Sequence, residues 1–253
     1  MTPVLTLIDD SGNSYTFPED FWLRDFNLPT NISIKNYTFN AGGRNTADGY
    51  PQARQITIQG RLRGDSLSAL ETKKRAFFFA TFKGGKLQMS DDTVSRYIYV
   101  KFPDFSDGIG DWRYSENITI TFIAENPFWM DSAQTTVTKI VTGNDSITVD
   151  ATGSDFLMFP TIEIENDQSV DNPTVKMYNQ DDGSGFFEYA DIAFLDGDLL
   201  VINSELGTIK KNSSDAFNGF VTPRFLRLQP QSNIFQYEGA ACTIRIKYRK
   251  VYA

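Results

Sequence analysis

The side chains that most often carry catalysis are scarce in this sequence. It contains no histidine, and Cys242 is its single cysteine. Serine–histidine and cysteine–histidine catalytic arrangements, histidine-rich zinc sites and zinc sites built from several cysteines are therefore excluded. Acid–base chemistry by carboxylates alone stays open, but adjacency in sequence does not place two acids across a cleft from each other. Adjacent pairs occur at Asp9-Asp10, Asp91-Asp92 and Asp181-Asp182.

Three glycine-bearing segments are candidates for an ion or phosphate site. GGK at 84–86 lacks the upstream glycine and the downstream Ser or Thr of a phosphate-binding loop, which favours a helix end. DFSDGIGDW at 104–112 and YNQDDGSGFFEY at 178–189 place carboxylates near glycines without EF-hand spacing, which favours solvated loops. We therefore predict no catalytic, cofactor-binding or metal-binding residues and no enzymatic activity.

Charge and hydropathy limit the classes of partner. The net charge of −8 argues against a protein that grips nucleic acid. Residues 145–215 hold 15 acids against three lysines, and residues 216–253 hold six basic residues against Glu238 alone, so the two segments are expected to neutralise each other in the fold. No apolar run approaches the roughly 18 residues of a membrane helix, and the N-terminus lacks a signal-peptide pattern. No membrane association is expected.

The first half of the chain predicts strands and one helix. Two short strands flank the turn DDSGN at 9–13 as a hairpin, and a long polar segment at 40–54 is expected to project as a loop. The strand at 55–62 alternates apolar and polar residues. A helix is predicted over about 65–83, with Asp65 or Ser66 as N-cap and Gly84-Gly85 at its end. Its expected apolar stripe comprises Leu67, Leu70, Lys74, Phe77 and Phe78.

The second half predicts only strands. Short β-type runs are separated by DDGSG, DGD and KNSSD, with no helical periodicity between them. This pattern is typical of a jelly-roll-like sandwich. In the last long strand, Cys242, Ile244, Ile246 and Tyr248 are expected to face the core. We predict two domains, residues 1–133 and residues 134–253.

The segment ENPFW at 125–129 marks the predicted domain junction. Ile118, Ile120 and Phe122 alternate with threonines, and Pro127 cannot donate to a strand ladder, so the strand is expected to end there. Phe128 and Trp129 could form a sugar-stacking platform, a docking anchor or a plug between two domains. Burial at the junction is the favoured interpretation.

Segments in both halves resemble one known family. In the first half these are RQITIQGRL (54–62), the helix LSALETKKRAFFFATF (67–82), RYIYVKF (96–102) and ITITFIAENPFW (118–129). In the second half they are FPTIEIEN (159–166), DGDLLVIN (196–203) and RLQPQSNIFQYEG (227–239). The order and spacing resemble the distal tail protein (Dit) family of long, non-contractile-tailed phages, in particular the smaller members from phages of Gram-positive hosts. One departure is Gln231, which stands where the family pattern has the glycine of a Pro-Gly-x-Asn turn.

This resemblance implies a mostly β protein with a structural function. It implies an N-terminal, tail-tube-like β-sandwich with one helix that forms a hexameric ring, and a C-terminal galectin-like sandwich on the periphery. The ring would join the tail tube protein to the tail-tip, or tail-associated, protein and leave a channel through which DNA passes without specific binding. The protein would be assembled in the host cytoplasm and located in the virion. A galectin-type sugar site uses histidine and a stacking tryptophan, and the second half has neither.

A ring needs two different surface patches that fit each other. The aromatic helix and the polar loop are the candidates, and their residues are Phe77, Phe78, Phe79, Phe82, Gly42, Gly43, Arg44 and Tyr50. The main alternative function is a saccharide-binding adhesion module that recognises the host envelope. A carboxylate-dependent wall hydrolase is a more distant alternative.

Overall fold

The computed structural model describes residues 4–23, 53–91, 94–109, 115–166, 174–181, 186–190, 194–221 and 224–252. The chain separates into two compact units, Met1–Ser132 and Ala133–Tyr252. Both units are built from antiparallel strands, and the described residues contain a single α-helix. The mostly β fold with one helix that the sequence predicts is therefore confirmed.

The first unit is an antiparallel arrangement of strands with one helix packed on it. Its strands are β1 (Val4–Ile8), β2 (Ser14–Thr16), β3 (Trp22–Leu23), β4 (Arg54–Arg63), β5 (Gly85–Ser90), β6 (Ser95–Ile109), β7 (Ser115–Ala124) and β8 (Trp129–Asp131), and its helix is α1 (Leu67–Thr81). The strand order is β2-β1-β5-β6-β7-β4-β3, and β8 pairs with the start of β6.

Strand β6 connects two parts of the first unit. Its first part pairs with β5, and its second part pairs with β7 after a register shift between Lys101 and Asp104. Such a bulge bends a strand and increases its twist. Strand β6 can therefore belong both to the group β1-β2-β5 and to the group β3-β4-β7. The apolar residues between them include Leu7, Ile58 and Ile120, and none is more than 1% exposed.

Helix α1 begins and ends where the sequence predicts. The Ser66 hydroxyl accepts a hydrogen bond from the Ala69 N–H at 3.2 Å, which makes Ser66 the N-cap. At the other end Gly84 has a φ of +71°, and its N–H donates to the Thr81 carbonyl at 3.1 Å. Glycine adopts this left-handed conformation without steric cost, which is why the chain can turn here from the helix into β5.

The second unit is a β-sandwich of two antiparallel sheets. Its sheet strands are β9 (Thr135–Val141), β10 (Asp145–Asp150), β11 (Thr161–Glu165), β12 (Thr174–Asn179), β13 (Phe186–Ala190), β14 (Leu199–Asn203), β15 (Thr208–Lys211), β16 (Ser214–Asp215), β17 (Ser232–Glu238) and β18 (Cys242–Tyr248). A further short strand, β19 (Val251–Tyr252), belongs to neither of these two sheets. One sheet has the order β10-β17-β12-β13, and the other has the order β16-β15-β14-β11-β18-β9.

Strand β18 shows how residue alternation builds this sandwich. Cys242, Ile244, Ile246 and Tyr248 are buried, as the sequence predicts. The intervening Arg245 and Lys247 pair on the outer face of the sheet with Glu165 and Glu163, which lie on the neighbouring strand β11. These cross-strand pairs show that basic residues of the C-terminal segment neutralise acids of the middle segment.

Candidate functional site

The four phenylalanines at the end of α1, three within the helix and Phe82 at its C-cap, divide between the core and the surface. Phe77 is completely buried, and its ring lies 5.3 Å from that of Phe21 and 5.9 Å from that of Phe17, measured between centroids. Phe78 is half-buried and meets Phe105 edge-on at 4.7 Å. These two rings fasten the helix to the strands. Phe77 has no surface left for a partner.

Phe79 and Phe82 form an exposed aromatic pair. They are 90% and 71% exposed. Because residues three apart on a helix lie on the same side, both side chains project from the same side of the helix end. Large exposed apolar groups that lie together are typical of protein-binding surfaces. This pair is therefore the part of the predicted interface that can meet another molecule. Gly42, Gly43, Arg44 and Tyr50 lie outside the described residues.

The start of α1 corrects one detail of the predicted apolar stripe. Leu67 is 60% exposed, although it was expected on the buried side with Leu70. Lys74 is half-buried, and its ammonium group lies 2.7 Å from a Glu116 carboxylate oxygen and 5.9 Å from the Phe78 ring centroid. An ion pair with both side chains only 18% exposed thus continues the helix–strand contact where the apolar stripe ends.

The segment with Pro127, Phe128 and Trp129 is largely buried within the first unit. Strand β7 already ends at Ala124, and Trp129 opens the further strand β8, so Pro127 does not close the last strand of this unit. The Pro127 carbonyl accepts a hydrogen bond from Arg54 at 3.4 Å, and Trp129 is 3% exposed. A sugar-stacking platform needs an exposed ring face. Trp129 does not provide one.

Three carboxylates at turns and strand ends, those of Asp9, Asp145 and Asp150, act as hydrogen-bond acceptors. Asp9 accepts hydrogen bonds from the side chain and backbone of Asn13 and from the backbone of Ser11, which hold its pKa below the ordinary value. Hydrogen bonds from Lys139 and Thr152 lower the pKa values of Asp145 and Asp150 in the same way. A catalytic acid needs a raised pKa. These three carboxyls are therefore poor candidates for that role.

The parts of the chain that the structure describes contain no group of three or more His, Cys, Asp or Glu side chains that could hold a metal ion. They also contain no helix that is long and apolar enough to cross a membrane.

The outward side of β4, β7 and β6 carries a polar surface, rich in hydroxyl and amide side chains, that the sequence-based prediction did not single out. We call it the hydroxyl–amide face. It comprises Thr57, Gln59, Ser106, Asn117, Thr119 and Thr121. Arg61 and Asp104 lie on the same side of these strands. The Thr57 and Thr121 hydroxyl oxygens lie 3.3 Å apart, and the Gln59 amide donates to the Thr119 hydroxyl at 3.1 Å. The opposite side of the same strands faces the core beneath α1.

Comparisons with known proteins give one family match. Residues 153–252 match the family SPP1_Dit, described as the C-terminal domain of a siphovirus-type tail component. This match covers less than half of the chain and makes its second unit similar to that domain. The matched range includes the three second-half segments that carry the resemblance in the sequence, and it supports that resemblance.

The fold of the whole chain is shared with a solved Dit structure. The crystal structure of the SPP1 Dit protein is 17% identical, with a TM-score of 0.69 over 99% of this chain and 100% of that chain. Two structures of the phage P2 baseplate in its activated conformation also match. The one with Ca is 12% identical with a TM-score of 0.45, covering 98% of both chains. The one with Sr is 11% identical with a TM-score of 0.47, covering 97% of both chains. The comparison with curated protein sequences gives no match.

Proposed function

We propose that this chain is a Dit-family component of a phage virion and that it forms a hexameric ring at the distal end of the tail. The ring joins the tail tube protein to the tail-tip protein and encloses a channel for DNA. The first unit forms the ring, and the second unit is a galectin-like domain at its periphery. In the similar SPP1 structure, the protein is described as a paradigm of the hub of the adsorption apparatus in phages that infect Gram-positive bacteria. The function is non-enzymatic.

The exposed aromatic pair carries this proposal. Two phenylalanine rings at 90% and 71% exposure would stand in water in an isolated protomer. Closing a ring requires a patch on one protomer to meet a different patch on the next. Aromatic residues are enriched in the buried centres of such interfaces. The pair lies on the side of α1 away from the core, where a neighbouring protomer can reach it.

The ring and its interface can be tested on the purified protein. Native mass measurement and negative-stain imaging are expected to give a hexamer with a central hole. Replacing both Phe79 and Phe82 by serine is expected to shift the mass to that of the monomer. The monomer is expected to stay folded, with an unchanged far-UV circular dichroism spectrum, because the pair contributes little to the protomer's own core.

Ile140→Ser is the matched control, because it removes an apolar side chain that is 69% exposed in the second unit. The control is expected to leave the hexamer intact. A wild-type protein that stays monomeric under all conditions would overturn the proposed function. If the doubly substituted protein still forms a hexamer, Phe79 and Phe82 do not lie in the interface between protomers.

A further inference from the structure

We infer that Asn218 is a site of spontaneous deamidation in the second unit, where its side-chain amide is converted to a carboxylate in the folded protein. The amino-acid sequence contains one Asn-Gly pair, Asn218-Gly219. Asparagine is among the thermally labile residues, and a following glycine has no side chain to hinder attack by its own backbone nitrogen. The reaction needs only this segment of the second unit, so it does not depend on formation of the ring.

The reaction balances with water as the only other reactant. The Gly219 backbone nitrogen attacks the side-chain carbonyl carbon of Asn218 and forms a C–N bond. The side-chain amide nitrogen leaves as ammonia and takes the proton of the Gly219 N–H, which gives a succinimide ring. Water then opens the ring at either of its two carbonyl carbons. One opening gives aspartate, and the other gives isoaspartate, in which the main chain runs through the side-chain carboxyl carbon.

The structure leaves both reacting groups of this pair within reach. Asn218 is exposed in the short 3₁₀ helix Phe217–Gly219, and its side chain makes no hydrogen bond to another residue of the described chain. The Gly219 N–H donates to the Ala216 carbonyl at 3.2 Å, at the long end of the usual range. A single 3₁₀ turn with such a bond opens by local fluctuation, and opening frees the nitrogen for attack.

Asn212, which precedes a serine in the same segment, shows how a restrained asparagine differs. It is exposed too, but its side-chain amide donates to the Asp198 carboxylate at 2.6 Å. Its side-chain oxygen accepts from the Leu199 N–H at 2.9 Å. Both bonds must break before this side chain can turn towards the next nitrogen. Hydrogen bonds also hold the asparagines of the other Asn-Ser pairs, Asn13 and Asn203.

Packing explains why the labile pair keeps its glycine. A Cβ added at Gly219 would stand 2.4 Å from the ring of Tyr189, which is itself buried. Tyr189 lies on β13, the last strand of its sheet, so the segment crosses this sheet edge in close contact. Glycine is therefore required at position 219. The exposed Asn218 side chain, in contrast, contributes little to the fold.

The two products have different consequences for the second unit. Aspartate adds a negative charge at an exposed position and leaves the main chain unchanged. Isoaspartate lengthens the main chain by one atom just before Phe220, whose ring stacks on that of Phe187 with centroids 5.2 Å apart. The following Val221 N–H donates to the Glu188 carbonyl at 3.0 Å. We expect isoaspartate to weaken this attachment of the segment to β13.

Ageing of the purified full-length protein tests the site. Trypsin releases residues 212–224 as one peptide, so mass spectrometry compares Asn212 and Asn218 within the same molecule. The deamidated fraction at Asn218 is expected to exceed that at Asn212 by about tenfold or more, because no side chain hinders attack by the glycine nitrogen. The rate is expected to rise with pH, since the attacking nitrogen must lose its proton.

Two variants separate the reaction from its consequence. Asn218→Gln is expected to stop the accumulation of isoaspartate, measured with an isoaspartate-specific methyltransferase, because a longer side chain would have to close a larger ring. Asn218→Asp reproduces the aspartate product and is expected to unfold at the same urea concentration as fresh wild type. Aged wild type that contains isoaspartate is expected to unfold at a lower urea concentration.

The outcomes that would overturn the inference are specific to this site. If Asn218 in the folded protein is deamidated no more than Asn212, the turn protects it and the inference fails. If Asn218→Gln accumulates as much isoaspartate as the wild type, the reactive residue lies elsewhere and the inference also fails. Neither result bears on the mass of the freshly purified assembly, so a failure here is distinct from a failure of the proposed function.

Discussion

At the scale of single residues, Asn233 organises a turn of the second unit. It is completely buried, and its side-chain oxygen accepts from the Asn179 amide at 2.9 Å and from the Gln229 N–H at 2.8 Å. Its amide donates to the carbonyls of Gln229 and Gln231 at 2.9 and 2.7 Å. Residues 229–233 contain no positive φ. The turn therefore accommodates Gln231 where the family pattern has glycine.

Removing this side chain is expected to be costly. Asn233→Ala leaves several buried polar groups without their present partner, and a loss of about 2–4 kcal/mol in the free energy of unfolding is expected. Asn233→Asp is expected to destabilise as well, because a carboxylate cannot donate to the two carbonyls. Urea unfolding measures both. Gln236→Ala, on the outward side of the same strand, is the control and is expected to change stability by less than about 0.5 kcal/mol. Equal effects at positions 233 and 236 would mean that the network does not stabilise the turn.

At the scale of elements, one short segment of α1 carries a side chain that stabilises the protomer and another that is available for assembly. Phe77 contacts Phe17 and Phe21 in the core, and Phe21 also lies over Gly60 of β4, where an added Cβ would stand 2.2 Å from its ring. Two residues further along the helix, Phe79 is 90% exposed. Chemically identical side chains thus have different functions, because successive helical residues are rotated by about 100°.

A pair of substitutions tests this separation. Phe77→Ala is expected to lower the free energy of unfolding by about 3–5 kcal/mol, since it leaves a cavity in the core. Phe79→Ala is expected to change it by less than about 0.5 kcal/mol while weakening the ring. Chemical denaturation of the monomer and native mass measurement of the assembly give the two readouts. A large loss of monomer stability for Phe79→Ala would contradict the assignment of its ring to the surface.

At the scale of the whole molecule, the second unit has a closed core of its own. The buried cluster runs from Val141 to Tyr248 and combines both sheets of the sandwich, with Phe187, Phe235 and Ile244 among its completely buried members. A core supplied entirely by one segment allows that segment to fold independently.

A fragment of residues 133–252 is therefore expected to fold by itself. Near-UV circular dichroism is expected to show fixed aromatic packing, and urea is expected to unfold the fragment in one cooperative transition. The fragment is also expected to remain monomeric, because it lacks the exposed aromatic pair. A broad, non-cooperative transition would show that the second unit depends on the first.

The amino-acid sequence by itself determined the features that depend on local patterns. Alternation in β18 identifies its core face, because strand side chains point to opposite sides with a period of two. Ser66 and Gly84 set the ends of α1 by capping and by left-handed backbone geometry. The absence of histidine excludes whole classes of catalytic site without any structure.

Only the tertiary structure decided which of these local features lie together. The alternation of Thr119 and Thr121 with buried neighbours is visible in the sequence, but their partners Gln59 and Thr57 lie about sixty residues earlier. Strand pairing, which depends on contacts across the whole unit, turns these separated residues into the hydroxyl–amide face. In the same way, the core strands fix the rotation of α1, so that Phe77 is buried and Phe79 is left for a partner.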